Sequence, residues 1–216
     1  MSLALLKMVL IPAALAVWWL LRARTESWLP WAGAQLMAAL LTESTAHALK
    51  LTGHTNWPVY NLYVPIEFGT VTLMLLHVPR PDRRRARLSL GAAVVFVLVL
   101  AWELTGNYRR GQPGDFLAMT LISGGLLLSF LALFAGLALA DTVVAPPVER
   151  AAWWLLASVA LYFMSFTPVF GLMKHFWATD PGKARALMQV NDLLFAIRYS
   201  FMGIALLHLL PRPRRT

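Results

Sequence analysis

The chain has 216 residues, 59% of them hydrophobic and only 13% charged, and its mean hydropathy is +0.63; a soluble domain carries about a quarter charged residues. Its 19 Lys and Arg against 10 Asp and Glu give a net charge of +9, which in so apolar a chain is a signal of topology and not a nucleic-acid footprint. Cysteine is absent, which excludes disulfides, thiol catalysis and Cys-ligated metals.

Roughly 20 apolar residues cross a bilayer core. By that measure the sequence predicts an all-α integral membrane protein, one domain over residues 1–216 built as a seven-helix bundle. Its spans run over about 3–21, 29–51, 57–78, 88–106, 116–140, 151–176 and 186–210. The first has no basic residues ahead of it, and Arg22 and Arg24 follow it. A cleaved signal peptide has the opposite order, so this reads as a retained helix. Gly53, Pro79 with Pro81, Gly106, Pro146-Pro147, Pro181-Gly182 and Pro211 punctuate the connections.

Basic residues orient the bundle. Eleven lie on one side: Arg22, Arg24, Arg80, Arg83, Arg84, Arg85, Arg87, Arg150, Arg212, Arg214 and Arg215. Six lie on the other: Lys50, Arg109, Arg110, Lys174, Lys183 and Arg185. The positive-inside rule then expects the N-terminus outside and the C-terminus in the cytoplasm, in a bacterial inner membrane. Trp28, Trp31, Trp57, Trp153, Trp154 and Trp177 fall near span ends, as an interfacial aromatic belt requires.

Polar residues inside the spans gather in the outer half. The second span carries Glu43 and His47, spaced i, i+4 on one face. The third brings Asn61 and Tyr63, then Glu67 near mid-depth, with Tyr60 extending the stripe and Pro65 beside it. The fourth ends with Glu103, and the sixth with His175. The seventh starts with Asn191 and Asp192 and holds Arg198 near its middle. A charge facing lipid at the bilayer centre costs about 2.5–3.5 kcal/mol, so Glu67 and Arg198 are expected to face inward and pair. That pair is either a brace between helices or the floor of an outward-facing polar pocket, walled by Glu43, His47, Asn61, Tyr63, Glu103, His175, Asn191 and Asp192. Glu43 with His47 is alternatively half of a metal site that His175 would complete, or simple hydrogen-bonded packing. His54 is expected to be exposed, and Ser123-Gly124-Gly125 with Gly136 to serve close helix packing.

The segment Asn61-Leu62-Tyr63-Val64-Pro65-Ile66-Glu67-Phe68 resembles the third-helix pattern of small uncharacterised seven-helix membrane proteins of Bacteroidota-type bacteria. The resemblance implies a shared architecture and a polar third helix, and it brings no activity with it.

Three functions compete. The first is a module binding or sensing a small polar ligand, with Arg198 as anion partner and Glu67 as cation partner or proton carrier. The second is an intramembrane enzyme acting on a lipid or isoprenoid through Glu43, His47, His175 and Asp192. The third is a proton- or ion-coupled transporter. A retinal Schiff base is not expected, since the lysines Lys7, Lys50, Lys174 and Lys183 leave the seventh span without one. No Gly-x-Ser-x-Gly or His-Glu-x-x-His occurs. The partners expected are membrane lipid, including headgroups at the 80–87 basic run, a small polar ligand, and a cytoplasmic or membrane partner protein; nucleic acid is not.

Overall fold

The structure, a computed structural model, describes residues 3–78, 82–111, 115–141, 143 and 145–211, without the side chains of 3–5, 7, 174 and 178. The sequence assignments on Pro79, Arg80, Pro81, Arg212, Arg214 and Arg215, and on the side chains of Lys7 and Lys174, lie outside the described residues.

Every element among the described residues is a helix: α1 Leu3–Leu21, α2 Leu29–Leu51, α3 Trp57–Leu76, α4 Arg83–Arg109, α5 Ala118–Ala140, α6 Pro146–Thr179 and α7 Pro181–Leu207. The helices overrun the apolar stretches where the sequence offers good ends. Prolines occupy the first turns of α2, α3, α6 and α7, where a missing N–H costs nothing. Asp82 caps α4 by accepting from the Arg84 amide, and Asp180 caps α7 by accepting from Gly182 and Lys183. Gly53 and Gly111 follow α2 and α4 with φ of 75° and 71°, the left-handed turn that ends a helix and that a side chain resists. Because α7 starts early, Lys183 sits in its first turn, not before it.

Neighbouring helices close a ring. α1 packs on α2 and α7, α2 on α3, α3 on α5, α5 on α6, and α6 on α7. α4 lies outside that ring against α5 and α3. Its outer face exposes Val94, Val97, Leu98 and Trp102, an apolar stripe that water would not favour. α3 through α7 are each long and apolar enough to cross a membrane. α1 offers a shorter described apolar stretch, Met8–Leu21. α2 carries Gln35, Glu43, His47 and Lys50 along its length, and it buries Gln35 and Glu43 inward.

Contacts sort the connections into two ends. At one, Ser27 donates to the His77 carbonyl, Arg24 to that of Leu209, and Arg85 to that of Val78. At the other, the Asn61 side chain joins α3 to the segment before α5, donating to the Asp115 carbonyl at 2.9 Å and accepting from the Leu117 amide at 3.0 Å. Trp28 departs from the aromatic-belt expectation. It is 2% exposed and belongs to the core, because the α1–α2 turn folds it inward ahead of α2.

Candidate functional site

A cavity of about 700 Å³ opens at the end formed by the α2–α3, α4–α5 and α6–α7 connections. Five elements shape it through helical spacing. From α3, Tyr60, Tyr63, Val64 and Glu67 descend one stripe; from α7, Met188, Asn191, Asp192 and Phe195 do the same. α6 contributes Tyr162, Phe166, Phe170, Met173 and Trp177, while α2 contributes Glu43 and, at the mouth, Lys50. Ala118 and Leu121 of α5 close the remaining side.

At the floor, three helices meet in one hydrogen-bonded chain. Gln35 of α2 donates to the Tyr63 hydroxyl at 3.1 Å. That hydroxyl donates to Glu67 Oε1 at 2.9 Å, and Arg198 Nη1 of α7 donates to the same oxygen at 2.5 Å. Arg198 is 0% exposed and stands behind Glu67, off the cavity wall. Its guanidinium carbon lies 4.7 Å from the Tyr162 ring centroid and 4.9 Å from that of Phe163. Nε and Nη2 make no hydrogen bond among the described residues, and the ring faces supply electrostatic attraction in their place.

The walls are largely aromatic. Tyr162, Phe166 and Phe170 stack in series, with centroids 5.3 Å apart at each step. Phe195 meets Tyr162 edge-on at 5.0 Å, and Phe116 bridges Trp57 and Phe170 at 4.8 and 5.4 Å. Higher up, Tyr60 donates to Glu43 across a long 3.4 Å.

Of the ten residues the sequence nominated, Glu43, Tyr63, Glu67, Asn191 and Asp192 line this cavity, and Arg198 backs its floor. Four do not. Asn61 is committed to the Asp115–Leu117 backbone. Glu103 is buried against the start of α5, accepting from the amides of Met119 and Thr120 and from the Thr120 hydroxyl. His47 and His175 are exposed and off the wall, His47 although it stands one turn from Glu43 on α2. Among the described residues no three His, Asp or Glu side chains come together as a metal would need, and the Glu43, His47 and His175 set is dispersed. His54, expected in solvent, is exposed and yet contributes to the mouth. The α6 stripe shows in the sequence only as Tyr162, Phe166, Phe170 and Trp177 recurring near helical period, and the polar residues do not point to it. The one sequence signal of Gln35 is its isolation as a polar residue within an apolar run.

No protein-family model, curated protein or solved structure matches this chain.

Proposed function

We propose that this chain is a seven-helix protein of a bacterial inner membrane, N-terminus outside, which binds or senses a small amphiphilic molecule in the cavity. The cavity itself carries the reading. Its volume falls within the roughly 300–1,000 Å³ of small-molecule sites, and such sites are mostly apolar with a few convergent polar groups. The aromatic stripe of α6 shifts the expected ligand from polar to amphiphilic, with an apolar body on Phe166 and Phe170 and a polar end toward Glu43, Asn191 and Asp192. Arg198 has no direct part in recognition, since Glu67 occupies it. The orientation rests on the eleven-to-six division of basic residues, which leaves the cavity facing outward. Output from a sensor would pass through a partner protein at the opposite end, where Arg22, Arg24 and the basic start of α4 stand.

Native mass spectrometry of protein extracted in mild detergent tests this, comparing the natural chain with Leu121→Trp, which fills the cavity from α5. A bound small molecule is expected with the natural chain and lost from a folded Leu121→Trp variant. A bound mass that survives the filling overturns the reading.

A further inference from the structure

Given the cavity-binding reading above, on which this step rests, the spacing of the walls narrows the ligand to one shape. α3 and α6 both pack on α5, and planar groups bridge them at two levels. At the mouth, the Phe116 ring lies 4.8 Å from the Trp57 ring of α3 and 5.4 Å from the Phe170 ring of α6. One aromatic ring therefore fills the gap there. At the floor, Glu67 of α3 holds Arg198, whose flat guanidinium lies 4.7 Å from the Tyr162 ring of α6. These bridges set the register of the two helices: Trp57 is level with Phe170, and Glu67 with Tyr162. Between them Tyr60 and Tyr63 come level with Phe166, and all three line the cavity. At 1.5 Å of rise per residue the interval is roughly 12–15 Å long. Its back wall is α5, where the short side chain of Ala118 leaves the space open.

We infer that the cavity takes a molecule built on a flat conjugated ring, which lies one ring thick between α3 and α6 beneath Phe116. The ring meets Tyr63 on one side and Phe166 on the other, as Phe116 meets Trp57 and Phe170. A well-placed aromatic pair adds about two- to tenfold in affinity beyond the area it buries. A saturated ring of the same carbon count is thicker and has no π-face to offer. A flexible alkyl chain loses conformational freedom on entering, which a rigid ring does not.

A matched set of neutral probes decides it. Phenylbutanol, cyclohexylbutanol and decanol share a hydroxyl and a carbon count and differ in flatness and stiffness. Each is titrated into the purified full chain at matched free concentration, and the shift in thermal unfolding midpoint is followed. Phenylbutanol is expected to stabilise the protein most. Its apparent affinity should fall by about two- to tenfold in Phe166→Leu, while that of cyclohexylbutanol stays within twofold. Phe170→Leu serves as a second variant should Phe166→Leu fold poorly. Equal stabilisation by all three probes, abolished by Leu121→Trp, overturns the preference for a flat ring and leaves the cavity reading standing. Stronger stabilisation by cyclohexylbutanol or decanol, or none by any of the three, likewise overturns it. Stabilisation by any probe that persists in Leu121→Trp counts against the cavity itself.

Discussion

Glu67 and Arg198 form a buried ion pair between α3 and α7. Removing one partner leaves the other a buried charge without its counter-ion. Arg198→Met is therefore expected to destabilise the protein by about 3–5 kcal/mol, whereas Glu67→Leu with Arg198→Met regains most of that loss; unfolding in detergent, followed by temperature or denaturant, reports both. A double variant as unstable as the single one would mean that the pair does more than neutralise itself. The sequence made this pair legible, since two charges near mid-depth have few alternatives to each other. It did not reveal that Arg198 stands behind Glu67. Depth along a helix says nothing about which partner faces the void. Glu103 illustrates a second blind spot. Its two oxygens accept from Met119, Thr120 and the Thr120 hydroxyl at 2.7–2.9 Å, completing the open N–H groups at the start of α5 from a neighbouring helix. Glu103→Ala should cost about 1–2 kcal/mol, as loss of a helix cap does, without changing occupancy of the cavity. A ligand-binding loss larger than the stability loss would return Glu103 to the site.

Among helices, close approach depends on a few small residues. The Trp18 indole donates to the Leu29 carbonyl at 2.8 Å and lies directly on Gly33, so tightly that a Cβ there would overlap the ring. Gly33→Ala should force α1 and α2 apart and cost about 1–3 kcal/mol, the usual range for overpacking; a melting midpoint equal to that of the natural chain would contradict this. On α5, Gly124 faces Phe96 and Phe68, which stack at 4.0 Å, and Gly125 faces Thr167 of α6. The packing role expected for the Gly124-Gly125 pair is thus visible in both directions. The α6–α7 junction is built differently, from charge. Asp180 accepts from two backbone amides of α7 and pairs with Lys183 at 3.2 Å. The Lys183 amide, followed by its ammonium, holds this carboxyl below its ordinary range. A depressed carboxyl contributes stability above its unfolded pKa, and that contribution disappears as pH falls through the folded value. Acidification below the usual carboxylate range should loosen the start of α7 in the natural chain and leave Asp180→Ala indifferent, which amide exchange of residues 182–185 would record. Apolar length locates the seven helices, whereas α4, α6 and the start of α7 extend beyond the apolar stretches. Charged turns such as those after Asp82 and Asp180 still form helix when a cap is supplied.

At the scale of the whole molecule, the two ends of the bundle differ in kind. One is tied shut by cross-connections: Arg24 onto the carbonyl of Leu209, Ser27 onto that of His77, and Arg85 onto those of Val78 and Leu75. These place cations at the C-terminal ends of α3 and α7, where unpaired carbonyls attract them. Some of the arginines counted toward orientation therefore also fasten helices together. The other end is open, with Lys50, His54 and Asn56 around the cavity mouth. Topology decides whether that mouth samples the exterior or the cytoplasm, and so what class of molecule it meets. The sequence lacks cysteine, which makes a direct assay possible. Thr25 lies in the α1–α2 connection and Thr55 in the α2–α3 connection, and both are exposed. They sit at opposite ends of α2, and replacing threonine by cysteine changes little in size at either. With the N-terminus outside, a membrane-impermeant maleimide added to intact cells should label Thr55→Cys and spare Thr25→Cys until the membrane is opened. The reverse pattern would turn the cavity toward the cytoplasm. The basic residues would then serve as helix fasteners in an inverted bundle, and the ligand would have to be an intracellular one.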